Sequence, residues 1–341
     1  MHAVILEAFG APETLKVREV ATPEPRAGEI LVRVRAAGVC HHDVLHRAGK
    51  LPGAKAGVVL GHETAGEVIA LGAGVATHRV GDRVVVYQRR FCGACRNCLR
   101  GRQDMCRAVG VPAVDTEGGY AEYVSVPASM GIHVPDGVAW HAAALACCPV
   151  ATSVRALTSV AGLRPGDTVL VTGASGGLGV HQLQLVRALG GRSIAVTSDA
   201  RKTDFLKRNG ADDVVVAKDG AFGAEVWRLT GKRGVDIALE NVGPSLAETL
   251  RALTTGGIAV VLGNIGGEAV PVAPGLLIGR RLRVVGSGMA PVDEVSQALA
   301  LIARGLVRPV ISAVLPFPDA PRAHRMLEER AVEGRVVLEG W

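Results

Sequence analysis

From residue 168 onward, the hydrophobic and polar positions of the chain alternate between two periods. Short apolar, β-branched runs typical of buried strands are separated by stretches whose apolar residues recur every three or four positions, as in helices. The predicted strands are 168–173, 193–198, 212–217, 235–240, 257–263 and 283–287. Strands that alternate with helices predict an α/β fold with a doubly wound parallel sheet.

The first 150 residues show a different pattern, in which short strand-like segments are separated by turn signals. Segments 2–7, 15–20 and 29–36 are examples, and this pattern predicts mainly antiparallel β structure. Helix and strand signals after residue 288 have no place in a six-strand sheet, so we expect them to return to the first domain. At 341 residues, two domains are expected: a mainly β domain of residues 1–150 and 289–341, and an α/β domain of residues 151–288.

A glycine-rich segment joins the first predicted strand of the α/β domain to a helix. A strand, a glycine turn and a helix in this order are typical of a dinucleotide-binding unit. Glycines lack Cβ atoms, so the backbone can approach a pyrophosphate, and the helix N-terminus offers N–H groups and a positive dipole end. The residues predicted to bind a coenzyme here are Gly173, Ser175, Gly176, Gly177, Leu178 and Gly179.

Composition and charge exclude several classes of protein. The chain is 48% hydrophobic and only 3% aromatic, with a net charge of +6, so it is not a disordered protein and it lacks the aromatics of a nucleic-acid-binding surface. Its start has no signal-peptide pattern, and no apolar run reaches the roughly 18 residues of a membrane helix. We therefore expect a cytoplasmic enzyme that binds a small molecule, not a nucleic acid or a membrane.

Four cysteines lie close together in the pattern C-x2-C-x2-C-x7-C: Cys92, Cys95, Cys98 and Cys106. Four thiolates at this spacing can surround one tetrahedral zinc ion without help from the rest of the fold. An iron–sulfur cluster also takes four cysteines and is the alternative. Because four protein ligands leave no open coordination position, we predict a structural zinc in a lobe near residues 89–107.

The remaining cysteines, Cys40, Cys147 and Cys148, suggest a second zinc together with His62. Two thiolates and one imidazole would leave the fourth position open for water or substrate, which Lewis-acid catalysis requires. Scattered cysteines and a lone histidine are more often buried structural residues, so these residue types alone leave both interpretations open.

Five motifs, in order and spacing, resemble the zinc-containing medium-chain dehydrogenases/reductases, the alcohol dehydrogenase superfamily, over essentially the whole chain. They are GVCHHD at 38–43, GHETAGEV at 61–68, GDRV at 81–84, CGACRNC at 92–98 with Cys106, and VTGASGGLGVHQLQ at 171–184. The resemblance implies a GroES-like catalytic domain, a Rossmann coenzyme domain, a substrate cleft between them, and a homodimer or homotetramer.

By this resemblance, Cys40, His62 and Cys148 are the ligands of a catalytic zinc. The family's third ligand precedes a threonine by a few residues, and Cys148 stands four residues before Thr152, which we assign to coenzyme binding. With the four-cysteine lobe, this predicts two zinc ions per chain.

Two acidic residues also match the family. Glu63 matches the acidic neighbour of the ligand histidine, and Asp43 matches the carboxylate that orients the ligand imidazole. The resemblance implies that zinc polarises a carbonyl, or binds an alkoxide, while hydride passes to or from the nicotinamide.

One position departs from the alcohol dehydrogenases. Two residues after the first ligand cysteine they carry Ser or Thr, which takes the alcohol proton and passes it to a histidine; here that position is His42. The relay histidine is commonly five residues after the cysteine, where this chain has Leu45, and a histidine follows at His46. The His42 imidazole could accept the proton itself, because its pKa lies near neutrality.

The sequence leaves three functions open. We expect hydride transfer between NADP(H) and an alcohol/aldehyde or ketone pair. The alternative is a reductase of an activated C=C bond of the enoyl or acryloyl-CoA type, which other zinc-carrying members of the superfamily reduce. A remote alternative is a non-catalytic member that binds nucleic acid or a partner.

The predicted second strand of the α/β domain indicates the choice of coenzyme. NAD-selective sites carry an acidic residue at its end, which holds the adenosine ribose and repels a 2′-phosphate. This chain has Thr197 and Ser198 there, followed by Arg201 and Lys202, which suit a phosphate. Asp199 is close enough to act as the acidic residue instead. We predict that NADP(H) is preferred over NAD(H).

Overall fold

The computed structural model describes residues 1–107 and 118–341, and the chain divides into two compact units. The first unit comprises residues 1–151, 290–305 and 311–341. The second unit comprises residues 152–289 and 306–310, so the segment 306–310 lies with the second unit although its neighbours on both sides lie with the first. Among the described residues, no helix is long and apolar enough to cross a membrane.

The elements are numbered here in chain order. The strands are β1 (His2–Leu6), β2 (Leu15–Glu19), β3 (Glu29–Val39), β4 (Val58–Val59), β5 (Glu63–Leu71), β6 (Arg83–Val86), β7 (Tyr123–Pro127), β8 (Gly131–His133), β9 (Thr168–Val171), β10 (Arg192–Thr197), β11 (Asp213–Val216), β12 (Val235–Glu240), β13 (Leu253–Val261), β14 (Arg283–Gly286), β15 (Ile311–Leu315) and β16 (Arg335–Leu338). The helices are α1 (His41–Arg47), α2 (Trp140–Ala144), α3 (Ala151–Arg155), α4 (Gly179–Ala188), α5 (Thr203–Arg208), α6 (Gly223–Leu229), α7 (Leu246–Ala252), α8 (Pro274–Arg280), α9 (Val292–Ala303) and α10 (Ala320–Glu328).

The second unit is built on one parallel sheet with the strand order β11-β10-β9-β12-β13-β14. This order grows outward in both directions from β9, as a doubly wound fold does, and the prediction of that fold is confirmed. Its core contains the buried side chains of Leu170, Ile194 and Phe222. Since all the strands are parallel, the carboxyl ends of β9, β10 and β12 lie at one edge of the sheet.

The first unit contains a sheet in the order β15-β16-β3-β5-β6-β8, with β7 also paired to β3. All of its pairs are antiparallel except β15 with β16, so the predicted antiparallel character is confirmed. A smaller antiparallel sheet, β2-β1-β4, completes the unit. Strand β16, near the end of the chain, thus pairs with β3, whose last residues lead directly into Cys40.

Candidate active site and coenzyme turn

The first unit brings together side chains from three separate segments. Cys40 precedes α1, His62 and Glu63 stand at the start of β5, and Cys148 lies in the wide helical turn Ala146–Val150 that follows α2. One ligand atom from each of these four residues lies within 4.8 Å of the others. The structure therefore assembles the three predicted zinc ligands, with Glu63 beside them.

Asp43 fixes the orientation of His62. Its Oδ1 lies 3.0 Å from His62 Nδ1, and its Oδ2 accepts the Cys40 backbone N–H at 3.1 Å. The bond to Asp43 occupies Nδ1 and leaves Nε2 as the atom that can bind a metal. Burial lowers the pKa of His62, but the neighbouring Asp43 carboxylate outweighs it and the pKa lies well above its ordinary value.

Tyr120 contacts Asp43 of the Asp43–His62 pair and was not predicted from the sequence. Its hydroxyl donates to Asp43 Oδ2 at 3.4 Å. The ring fits because Gly61, with φ of +95°, has no side chain, and a Cβ there would lie 2.4 Å from the ring. The glycine before His62 therefore serves the packing of the site.

Arg335 is the second residue that the sequence analysis missed. Its guanidinium holds both oxygens of Glu63, at 2.6 and 3.1 Å, and its Nη2 lies 3.6 Å from Cys40 Sγ and 3.8 Å from Cys148 Sγ. The strand register explains the contact, because Gly38 on β3 stands opposite both Glu63 on β5 and Val337 on β16. A Cβ on Gly38 would lie 2.1 Å from Glu63 Oε2, so a glycine is required between the two charges.

The charges of this cluster shift the acidity of its members. The hydrogen bond from Cys148, together with Arg335 and His62, lowers the pKa of Cys40 well below its ordinary value, although burial opposes this. The same bond and burial raise the pKa of Cys148. Burial raises the pKa of Glu63 to about 7, although Arg335 opposes the shift.

These donors fit a zinc ion. Two thiolates and an imidazole are ligands that zinc prefers, and three protein ligands are typical of a catalytic site. The formal charges also balance, because Zn²⁺ offsets the thiolates of Cys40 and Cys148 while Arg335 offsets Glu63. Cys147, by contrast, is fully buried, and it is Cys148 whose Sγ lies with the other ligand atoms of the cluster.

His42 lies next to the cluster, with its ring 5.3 Å from the His62 ring and nearly perpendicular to it. Its Nδ1 is buried and has no hydrogen-bond partner among the described residues. His46 is also buried, but its Nε2 lies 3.0 Å from the carbonyl oxygen of Lys55 and 3.3 Å from its amide nitrogen. The histidine one position beyond the usual relay place is therefore engaged with the backbone.

The four-cysteine lobe has the dimensions of a zinc site. Four of its six Sγ–Sγ distances are 3.6, 3.7, 3.9 and 4.0 Å, and tetrahedral Zn–S bonds of about 2.3 Å would require about 3.8 Å. Backbone N–H groups of Cys92 and Cys95 point at sulfurs of the cluster, and Arg89 donates to the carbonyls of Asp104 and Cys106. The predicted ligands Cys92, Cys95, Cys98 and Cys106 thus all converge, and they fit the metal.

In the second unit, the predicted glycine turn lies between β9 and α4. Gly173 has φ of +55°, and a Cβ on Gly179 would lie 2.5 Å from Ala174 Cα. The turn is therefore closed tightly against itself, and α4 begins directly after it at Gly179, so the positive end of the helix dipole lies at the turn. These features fit a coenzyme pyrophosphate.

A buried carboxylate, Glu240, lies at the end of β12 beside this turn and was not anticipated. It accepts bonds from Thr172 Oγ1 at 3.1 Å and from the N–H groups of Val242 and Gly243 at 2.9 Å. The bonds tie the loop after β12 to the residue that precedes the glycine turn. A lone glutamate at the end of an apolar strand was the one signal in the sequence.

At the end of β10, Thr197 is buried and Ser198 is exposed. Arg201 donates hydrogen bonds to the Asp199 carboxylate from its backbone N–H at 2.9 Å and from its guanidinium at 2.8 to 3.1 Å. Lys202 Nζ donates to Ser175 Oγ of the glycine turn at 3.3 Å. Thr152 is buried in the same unit.

Comparison with known proteins places the chain among oxidoreductases. Residues 26–136 match the family model for the alcohol dehydrogenase GroES-like domain, and residues 177–304 match that for zinc-binding dehydrogenases. An acryloyl-coenzyme A reductase of Metallosphaera sedula is 32% identical, and an NAD-dependent alcohol dehydrogenase of Saccharolobus solfataricus is 34% identical, each match covering 99% of both chains. The crystal structure of AibC is 40% identical, with a TM-score of 0.93 over 100% of this chain and 96% of that one. The resemblance found in the sequence is confirmed.

Proposed function

Because this chain belongs to the zinc-binding medium-chain dehydrogenases/reductases of the alcohol dehydrogenase superfamily, we propose that it reduces the C=C bond of an α,β-unsaturated acyl thioester with NADPH. In this reaction a hydride adds to the β-carbon and a proton to the α-carbon, while NADPH is oxidised to NADP⁺. The alcohol and carbonyl chemistry that we ranked first from the sequence becomes the second candidate.

The observation that carries this order is that the hydroxyl-to-histidine relay of the alcohol dehydrogenases is missing from the described residues. Position 42 is an imidazole instead of a hydroxyl, and position 45 is Leu45. His46 Nε2 is engaged with the Lys55 backbone, so it is not placed to receive a proton from residue 42. A double-bond reductase needs no such relay, because its substrate has no hydroxyl proton to lose. An acryloyl-coenzyme A reductase and an alcohol dehydrogenase are similarly related to this chain, at 32% and 34% identity, so the order rests on the relay positions.

In the proposed reduction, the metal, the coenzyme and the residues of the site have separate roles. Bound zinc would draw electron density from a thioester carbonyl, and bound NADPH would supply the hydride. Cys40, His62 and Cys148 would hold the metal, and Arg335 binds both oxygens of the neighbouring Glu63. His42 Nδ1 is a buried atom beside the cluster that has no hydrogen-bond partner among the described residues, so it is available to contact the substrate.

Carbonyl reduction remains the second candidate because the same three ligands, with an open fourth position, suit it equally. The preference for NADPH rests on Thr197, which stands where an acidic residue would repel a 2′-phosphate. The Asp199 carboxylate is already occupied by Arg201, which opposes a role in holding ribose hydroxyls.

A comparison of turnover tests the proposal. Acryloyl-CoA and crotonyl-CoA should be reduced with a kcat/KM at least about tenfold above that of any alcohol, aldehyde or ketone in a broad panel. The double variant His42→Thr, Leu45→His should gain alcohol oxidation, because it supplies both a hydroxyl and a relay imidazole. Faster turnover of an alcohol by the unchanged protein would refute the proposal. A gel-shift assay beside these measurements checks the nucleic-acid-binding alternative.

We also propose that the chain forms a homodimer or homotetramer. Strand β14 is the edge of its sheet, and its apolar residues Val284 and Val285 are 41% and 38% exposed. Exposed apolar edges pair readily with other strands, and a second copy is the simplest partner.

A further inference from the structure

His181 lies on α4 and is fully buried, and it is not among the coenzyme-binding residues predicted from the sequence. Its ring contacts two separate parts of the second unit. Nδ1 lies 2.6 Å from the Gly177 carbonyl oxygen in the glycine turn, and Nε2 lies 3.0 Å from the Val310 backbone nitrogen. Val310 ends the segment 306–310, after which the chain continues as β15 in the first unit.

The Val310 contact determines the tautomer of the imidazole. A backbone N–H can only donate, so Nε2 must be the acceptor of this bond. The proton of the neutral ring is therefore on Nδ1, and Nδ1–H donates to Gly177 O. Each of the two bonds requires the tautomer that the other one selects.

The start of α4 depends on the imidazole. The His181 backbone N–H bonds to Leu178 O, three residues back, at 3.1 Å, and the side chain donates to Gly177 O, four residues back. The Gly177 carbonyl and the Leu178 N–H belong to one peptide plane and point in opposite directions. With the carbonyl held toward buried His181, the Leu178 N–H points the other way, toward the partly exposed side of the turn.

We propose that His181 is a positioning residue for the coenzyme: it orients the Gly177–Leu178 peptide toward the pyrophosphate and uses the Val310 N–H to hold its own tautomer. The proposal rests on the coenzyme binding put forward above. A consequence is that the segment 306–310 and the glycine turn share one side chain, so loss of the imidazole removes a contact from both.

The helix offers a matched control. Gln184 also binds the segment 306–310, with Oε1 accepting the Arg308 N–H at 2.7 Å and Nε2 donating to the Arg308 carbonyl at 3.0 Å. No contact of Gln184 with the glycine turn is found among the described residues. Gln184→Ala therefore removes a tie to the segment and leaves the Gly177 bond intact.

The test measures NADPH and NADH dissociation constants by fluorescence titration for His181→Asn, His181→Gln, His181→Ala and Gln184→Ala. Asparagine keeps a donor near the position of Nδ1, whereas glutamine places its amide near the position of Nε2. We expect His181→Asn and Gln184→Ala to bind within about twofold of the unchanged protein. His181→Gln and His181→Ala should bind about three- to tenfold more weakly, the worth of one hydrogen bond.

Equal affinities of the asparagine and glutamine variants would overturn the proposal, as would a loss in Gln184→Ala as large as that in His181→Ala. Melting temperatures identify any variant that has merely lost its fold, and the asparagine–glutamine comparison then decides between two side chains that differ by one methylene. If the unchanged protein binds neither coenzyme, the proposed function fails instead, and the two failures are distinguishable.

Discussion

Replacing Arg335 by methionine should destabilise the first unit strongly, because it leaves the buried Glu63 carboxylate without the guanidinium that binds both of its oxygens. Glu63 is fully buried and the Arg335 side chain is 7% exposed, and the pair is joined by bonds of 2.6 and 3.1 Å. Removing one partner of a buried pair costs about 3–5 kcal/mol, whereas removing both partners costs much less because no uncompensated charge remains. The double variant Glu63→Gln, Arg335→Met should therefore be more stable than Arg335→Met alone.

The chain contains a matched control for this double-mutant cycle. Arg228 and Glu225 are joined by bonds of 2.6 and 2.8 Å, but their side chains are 68% and 44% exposed. Bond geometry is thus nearly constant between the two pairs, and burial differs. Water screens an exposed pair, so the cycle at Glu225 and Arg228 should show no coupling outside experimental error.

Urea unfolding of zinc-saturated protein, followed by tryptophan fluorescence, measures both cycles. Trp140 and Trp341 report on the first unit, and Trp227 reports on the second, so Trp→Phe backgrounds separate the two signals. We expect a coupling free energy of at least about 2 kcal/mol for Glu63 and Arg335. A coupling as small as that of the exposed pair would show that burial does not determine the strength of this contact.

Three further predictions follow from the structure. Elemental analysis should find two zinc ions per chain, and one zinc per chain would contradict the three-ligand site. Cys106→Ser should lower the melting temperature, whereas Cys40→Ser should abolish turnover with a smaller effect on the melting temperature. NADPH should bind roughly tenfold more tightly than NADH, and Lys202→Ala should reduce that ratio, because a charge-assisted phosphate contact is lost; equal dissociation constants in titration would disprove the preference. Burial lowers the pKa of His324 to about 4, so between pH 6.5 and 4 the folded protein binds fewer protons than the unfolded chain. The free energy of unfolding should therefore fall by about 3 kcal/mol as the pH drops from 6.5 to 4. Denaturation of His324→Leu over this range should lack this pH-dependent loss.

Local spacing was enough to predict two parts of the molecule. The four cysteine ligands lie within residues 92–106, and their sulfurs converge as that spacing requires. The glycine turn likewise joins a strand to the helix that directly follows it, and the structure places Gly173 and Gly179 there as expected. In both cases the chain between the functional residues is too short for many other arrangements, so the pattern predicts the geometry.

Long-range contacts could not be predicted in this way. Arg335 and Glu63 are 272 residues apart, and they meet only because β16 and β5 both pair with β3. An arginine at the start of a terminal strand is expected to be an ordinary surface residue as long as the strand order is unknown. His181 was missed for a similar reason, because its partner Val310 lies 129 residues away on a segment that we had assigned to the other domain.

The two candidate reactions differ in a way that the metal ligands cannot reveal. A zinc ion held by Cys40, His62 and Cys148 would polarise a ketone, an aldehyde or a thioester carbonyl alike. The ligand set is therefore consistent with either chemistry. The difference lies in the fate of a proton: an alcohol must lose one from oxygen, whereas an enoyl thioester must gain one at carbon. The positions that distinguish the reactions are therefore those at which an alcohol relay would start and continue, and in this chain they hold His42, whose imidazole can carry a proton, and Leu45, which cannot.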